Sequence, residues 1–155
     1  MRGRLVVAAI VSLSGLVLVC TASAPAAATR TMVIRLRSVT VAPSIKDLPP
    51  KGPSKGDVYA GRFLLLNVVP QFGRKTGAVV GTERESLTLT SRTAAVIHGV
   101  VSLPGGTLVY GGRGRLGSNA PIPVIRGTGR FEGAHGILTV GNGNSPLNTY
   151  RLTLP

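Results

Sequence analysis

The sequence predicts an all-β protein, in the form of an antiparallel β-barrel of about eight strands. Three observations lead to this fold class. Short segments rich in β-branched residues alternate with turns containing Gly and Pro from residue 31 to the end. No segment has the apolar repeat of a convincing helix. Glycines interrupt the strands, which suits a tightly closed sheet, and closure removes edges that would otherwise be exposed.

The first 28 residues have the pattern of a secretory signal peptide. Arg2 and Arg4 precede an uncharged apolar run at residues 5–19, and Ala26-Ala27-Ala28 follows it. We expect cleavage after Ala28, which leaves residues 29–155 as one secreted barrel domain. Cys20 raises a lipoprotein alternative, but that processing prefers a small residue where this chain has Val19.

Composition limits the partners of the mature chain. Losing Arg2 and Arg4 lowers the formal net charge from +13 to +11, and losing Cys20 removes the only cysteine. The remaining basic residues are scattered rather than interleaved with aromatics, so we expect no nucleic-acid partner. Outside the cell the charge favours an anionic cell-wall polymer, lipid headgroups or an acidic polysaccharide as the partner, and solubility alone is the simpler alternative.

The first half of the mature chain is predicted to contain four strands. Met32, Ile34 and Leu36 alternate with arginines on the first strand, and the apolar run 63–66 suits a strand covered on both faces. Clustered Pro and Gly predict a long surface loop between these two strands. The predicted elements are strand 31–41, loop 42–56, strand 57–69, turn 70–76, strand 77–83 and a short strand 86–90.

The second half continues as strands separated by turns. Pro104-Gly105-Gly106 predicts a hairpin turn, and Asn-Gly-Asn-Ser-Pro at 142–146 predicts another. Between them lies a glycine corner at residues 127–136, with Phe131 as the large apolar group available to plug the bend. The predicted elements are strands 94–103, 107–111, 122–125, 136–141 and 147–154, with a glycine-rich loop at 111–120.

The same glycine corner loosely resembles a dinucleotide-binding loop. Such a loop requires a helix after it, because the helix N-terminus holds the pyrophosphate. Here Gly133, Gly136 and a β-like segment follow instead. A tight corner between strands is therefore the better interpretation.

Few residues are candidates for catalysis. His98 lies within an apolar strand and would serve as a general acid or base if its side chain points inward; an outward histidine is the alternative. Glu83 could face the mouth of a cavity, or pair with Arg84 or Arg92 on the surface. The sequence contains no Gly-x-Ser-x-Gly elbow, and its two histidines predict no metal site.

Three polar side chains on apolar strands are candidate ligand contacts. Tyr59, Asn67 and Tyr110 are the sparse polar groups with which an apolar pocket orients a small molecule. Ordinary positions in the core or at the rim are the alternative for each of them.

Four segments, in the right order, carry a resemblance to the dirigent-like proteins, which share the allene oxide cyclase barrel. They are residues 51–57 running into 63–67, residues 77–81, residues 103–108 running on to 112–113, and residues 123–136. The last segment is the most specific, and reads Pro-Val-Ile-Arg-Gly-Thr-Gly-Arg-Phe-Glu-Gly-Ala-His-Gly.

The resemblance implies an eight-stranded barrel, often trimeric, with an apolar cavity at one end and no need for a cofactor. It also implies that the protein steers phenolic intermediates to one product, or that it closes a ring as the allene oxide cyclases do. Residues 63–68 lack the acidic pair of plant dirigent proteins, Ala120-Pro121 replaces a basic–acidic pair, and Arg126 replaces a glycine. The resemblance therefore transfers the fold and not the reaction.

Three functions are compatible with the sequence. The first is a guide that binds a small apolar or phenolic molecule and directs its coupling or cyclisation. The second is a true cyclase or isomerase that uses Glu83 or His98, in which case replacing both would abolish turnover. The third is a wall-associated protein that acts through its basic surface.

Overall fold

Eight antiparallel strands close into a single barrel in chain order, which confirms the predicted fold class. The computed structural model describes residues 28–117, 120–141 and 147–155. The predicted signal peptide, apart from Ala28, and the predicted turn at 142–146 lie outside these residues. The strands are β1 (Arg30–Lys46), β2 (Val58–Asn67), β3 (Val79–Leu89), β4 (Ala94–Leu103), β5 (Gly106–Arg115), β6 (Ile122–Gly127), β7 (His135–Val140) and β8 (Leu147–Leu154). No helix within the described ranges is long and apolar enough to cross a membrane.

Three strands are substantially longer than the sequence predicted. β1 continues to Lys46 instead of ending at residue 41, because a bulge between Thr40 and Ala42 shifts its register against β2 and lets pairing resume. The predicted strands 77–83 and 86–90 are one strand, β3, which pairs without interruption with β4. β5 extends through the predicted glycine-rich loop to Arg115, where it pairs with Ala94.

Strand alternation places the hydrophobic core inside the barrel. Alternate residues of each strand point inward, and the inward ones are mostly fully buried while their neighbours are exposed. Burying these side chains from all the strands in one interior is the main stabilising contribution. The fully buried apolar side chains include Ile34, Leu36, Leu65, Val101, Leu108, Leu138 and Phe131.

The two ends of the barrel differ, and we call them the closed end and the open end. β1 begins and β8 ends at the closed end. The β2–β3, β4–β5 and β6–β7 connections lie at the same end. Phe131 is completely buried there, in one turn of 3₁₀ helix (Gly129–Phe131), which confirms its predicted role as a plug. Gly127 permits this packing, because a Cβ there would overlap the Phe131 carbonyl. Arg130 lies over the rings of Phe72 and Phe131, at 5.6 Å from each centroid.

A buried carboxylate fixes the loop between β1 and β2 at the open end. Asp57 accepts hydrogen bonds from the Leu48 amide at 2.9 Å and from the Ser54 amide at 2.7 Å. The Ser54 hydroxyl donates a third at 3.0 Å. These donors favour the ionised form and lower the pKa of Asp57 below its usual value, with the Leu48 amide contributing most.

Candidate functional site

A layer of polar side chains crosses the middle of the barrel, between the apolar plug and the open end. Its members share two properties: each lies on an inward-facing strand position and each is at least half-buried. They come from four strands, and alternation along each strand aims them at the barrel axis. They are Ser38 on β1, Glu83 and Glu85 on β3, Tyr110 on β5, and Asn148 and Tyr150 on β8.

The Tyr110 hydroxyl joins the two glutamates of this layer. It lies 2.5 Å from Oε1 of Glu83 and 2.6 Å from Oε2 of Glu85. Glu83 is 2% exposed, while Glu85 is half-buried and lines a cavity at the open end. The three groups therefore form a short chain that leads from a buried acid to the cavity.

This chain requires an extra proton. The Tyr110 hydroxyl has one hydrogen and can donate it to only one of its two carboxyl neighbours. If both carboxyls were ionised, the other contact would bring two oxygens together without a hydrogen between them. Burial of Glu83 disfavours its charged form and raises the pKa of that carboxyl above its usual value. Of the two carboxyls, burial therefore favours the protonated form at Glu83. In that form Glu83 donates to Tyr110 while Tyr110 donates to Glu85.

Side chains from β1 and β8 fix the other oxygen of Glu83. The Ser38 hydroxyl donates to Glu83 Oε2 at 3.1 Å, and Asn148 Nδ2 donates to the Ser38 oxygen at 2.8 Å. The Asn148 Oδ1 is buried in the same layer without a hydrogen-bond partner among the described residues. The Tyr150 hydroxyl lies in this layer beside Glu83 and Asn148. Because buried polar groups are normally paired, the Asn148 oxygen offers a hydrogen-bonding position to a buried water molecule.

A glycine on β4 makes room for the central tyrosine. Gly99 is the register partner of Tyr110, and a Cβ at Gly99 would overlap the Tyr110 ring. The ring therefore lies flat across β4, and its hydroxyl reaches β3. The Tyr150 ring packs against it at a centroid distance of 6.5 Å and an angle of 57°.

The cavity above this polar layer has a volume of about 210 Å³. That is below the ~300–1,000 Å³ of pockets for drug-sized ligands, so it suits a compact molecule. Glycines at positions 112 and 114 of β5 leave part of this space free of side chains. The apolar side chains that line it include Leu87, Ala95, Ile97, Ile122 and Val140. Glu85 is the acidic residue in its lining.

The structure brings together only two of the five residues singled out from the sequence. Glu83 and Tyr110 are hydrogen-bonded inside the barrel, and Glu83 is neither at the cavity mouth nor on the surface. His98 is exposed on the outer face, so the inward orientation that its catalytic role required is absent. Asn67 lies at the closed end, where its Nδ2 donates to the carbonyls of Gln71 and Arg74 in the β2–β3 turn. Tyr59 is half-buried near the start of β2, outside the cavity lining.

Sequence reasoning missed Glu85, the acidic residue that faces the cavity. The predicted break between strands 77–83 and 86–90 left Glu85 outside both strands. In one continuous strand, Glu83 and Glu85 are two positions apart and share a face, so the Glu-x-Glu spacing was the available signal. β3 thus carries a pair of carboxyl groups on its inner face, whereas residues 63–68 carry none.

The raised pKa of Glu83 gives a pH-dependent stability that can be measured. Folding favours its protonated form, so the wild type should lose stability as pH rises from about 4.5, the usual value, through the higher folded pKa. Glu83→Gln cannot ionise, and we expect its melting temperature to fall less than that of the wild type between pH 5 and 9. Thermal unfolding at several pH values, with exposed Glu132→Gln as the control, tests this. Parallel curves for wild type and Glu83→Gln would mean that Glu83 is ionised in the folded protein.

No group of three His, Cys, Asp or Glu side chains in the described part of the chain is placed to hold a metal ion. No family model matches the chain, and no curated protein matches its sequence. Solved structures do match its fold.

A pyocyanin demethylase superposes with a TM-score of 0.65 and 18% identity, over 78% of this chain and 99% of that one. An exo-specific intermolecular Diels–Alderase gives a TM-score of 0.63 and 12% identity, over 81% and 98% of the two chains. A pterocarpan synthase dirigent protein gives 0.59 and 16%, over 82% and 89%. The resemblance to dirigent-like proteins is therefore confirmed at the level of the fold: the chain is an eight-stranded barrel of the kind shared by dirigent proteins and these barrel enzymes.

Proposed function

We propose that this protein binds a small apolar or phenolic molecule in the open-end cavity and guides its coupling or cyclisation without a cofactor. One observation carries the proposal: an apolar cavity of about 210 Å³ has an acidic residue, Glu85, in its lining, and a hydrogen-bonded tyrosine connects it to a buried acid. A largely apolar wall suits an apolar ligand, and the charged residues in the lining, Glu85, Arg113 and Arg115, can orient it.

In this proposal the cavity acts first by confinement. Holding a flexible molecule in one conformer lowers the entropic cost of bringing its reacting atoms together and favours one product. Proteins of this fold bear names that denote reactions of small organic molecules, namely pyocyanin demethylation, Diels–Alder addition and pterocarpan synthesis. These names agree with a cavity used for chemistry on a compact ligand.

The second contribution is proton transfer at Glu85. Its carboxylate can accept a proton from the ligand, or deliver one that Tyr110 passes on from Glu83. The chain Glu83–Tyr110–Glu85 keeps one mobile proton and one negative charge beside the ligand. This arrangement favours the cyclase form of the hypothesis, with Glu85 taking the place that the sequence assigned to Glu83 or His98.

Native mass spectrometry of residues 29–155, exported by a bacterial host and mixed with a phenol and fatty-acid extract, tests ligand binding. We expect a defined added mass that is lost on unfolding. Gly114→Phe should abolish it, because Gly114 lines the cavity and a Cβ there meets no atom within 4 Å. Ser86→Phe, which adds the same side chain on the exposed face, should keep it. An apo mass for the wild type across the whole extract would refute the proposal.

Export and assembly are part of the same proposal. The leader pattern at residues 1–28 supports secretion, with cleavage after Ala28. The resemblance to dirigent-like proteins supports a homotrimer, and the native mass spectrum measures the assembly directly. A mature N-terminus at Thr29 would agree with the proposed cleavage.

A further inference from the structure

Two arginines face each other on the outer wall of the barrel. Arg62 on β2 and Arg84 on β3 are direct register partners, and both are exposed. Side chains at such opposed positions start about 4.5–5.5 Å apart, and like charges there repel each other. Neither arginine has an ion-pair or hydrogen-bond partner among the described residues. A bound anion would therefore stabilise the pair.

The surrounding strands do not supply that charge. β1, β2 and β4 contain no acidic residue, and both acids of β3 point into the barrel. Asp47 follows the end of β1, roughly 16–17 Å along the strand from Ala42, the register partner of Arg62, at ~3.3 Å per residue. Glu132 lies at the closed end. All lysines and arginines of the described residues are exposed, so the outer wall is more basic than the net charge suggests.

A groove lies beside the arginine pair. It has a volume of about 200 Å³ and follows the β1 bulge between Thr40 and Ala42, where the register against β2 shifts. Backbone from Phe63 and from Glu83, whose carboxyl points inward, completes its lining. Its outward-facing residues are Val41, Ala42, Arg62, Leu64, Thr82 and Arg84.

We propose that this groove binds a phosphate group. Guanidinium groups bind phosphate oxygens through paired, charge-assisted hydrogen bonds, and the Thr82 hydroxyl is a further donor at the groove. Val41 and Leu64 are 59% and 37% exposed and give the organic part of a phosphoester an apolar border. The phosphate comes either from a small phosphorylated molecule or from a phosphodiester polymer, and the experiment below separates these sources. The site is on the outer wall and is independent of the open-end cavity.

The test compares two double variants that remove the same charge. Inorganic phosphate is titrated into the full mature chain, and the arginine Nε–H signals are followed by NMR. We expect R62A/R84A to bind phosphate at least tenfold more weakly than the wild type. R92A/R151A removes two exposed arginines elsewhere and should bind as the wild type does. Equal weakening in both double variants, or none in R62A/R84A, would overturn the proposal.

The melting temperature of each variant shows whether a loss of phosphate binding is caused by misfolding. Without phosphate, R62A/R84A should melt no lower than the wild type, because the variant removes a repulsive pair. Phosphate should raise the melting temperature of the wild type and of R92A/R151A only. Arg84→Glu should raise stability by pairing with Arg62 and should abolish phosphate binding. If Arg84→Glu keeps phosphate binding, the groove is not the site.

Retention on immobilised poly(glycerol phosphate) separates the two sources. If inorganic phosphate elutes the wild type readily, the groove binds single phosphate groups and the ligand is a small phosphorylated molecule. If elution requires far more phosphate than the titration predicts, several phosphodiesters are bound at once and the polymer is the ligand. Wild-type retention that R62A/R84A leaves unchanged would contradict a role of the groove in polymer binding.

Discussion

Phe131→Ala is expected to lower the free energy of unfolding by about 3–5 kcal/mol, the usual cost of emptying a fully buried phenylalanine site. Phe131 is completely buried at the closed end, among side chains from several strands. Gly106 and Gly127 lie against Phe131 and have no side chains that could fill the vacated space, so the cavity term should be large. Since small domains have about 5–15 kcal/mol of stability, the variant should lose a large fraction of its total stability.

Urea denaturation followed by circular dichroism measures this change. Ile125→Ala is the matched control, because Ile125 is on the adjacent β6 and is 59% exposed. The control should change stability by no more than about 0.5 kcal/mol. A loss below about 1 kcal/mol for Phe131→Ala would mean that the closed end repacks and that Phe131 is not its plug.

The second large effect is expected in catalysis. With the ligand recovered from the cavity as substrate, Glu85→Gln should reduce turnover by about 10²–10⁴, the usual contribution of a general acid or base. Ligand binding should persist, because the amide has nearly the shape of the carboxylate. Stopped assays of product formation, together with equilibrium binding of the same ligand, separate the two effects.

Two further variants define the role of the hydrogen-bonded chain. Tyr110→Phe breaks the connection between Glu85 and Glu83 and should reduce turnover while shifting its pH profile. His98→Ala is the negative control, because His98 is exposed on the outer face. If Glu85→Gln keeps the turnover and the product stereochemistry of the wild type, confinement of the ligand is the whole mechanism. The protein would then be a guide rather than a cyclase.

The fold could be predicted because its signals are local. Turn residues such as Pro104 and Gly105, and β-branched alternation in each strand, act over a few residues and are visible in the chain itself. The errors came where a local signal was ambiguous. Pro43 suggested a loop, although the bulge lets β1 pair on to Lys46. Residues 84–85 were left between two predicted strands, although β3 is continuous there.

The site could be predicted only in part because it depends on register between distant strands. Ser38 and Asn148 are hydrogen-bonded across 110 positions of the chain, and nothing in either neighbourhood indicates the contact. Glu83 and Tyr110 could be named as polar groups on apolar strands, but not as partners. Gly99, a glycine in the middle of a strand and opposite Tyr110, was the one residue that indicated where the ring would lie.

The chain ends determine in which orientation the barrel can be attached to a surface. Arg30 pairs with Leu154, so both ends of the described chain leave from the closed end, opposite the cavity. A linker attached at either end would fix the barrel by its plugged base and leave the mouth facing outward. Cell-surface display or immobilisation on a support through Pro155 would therefore leave small molecules free access to the cavity.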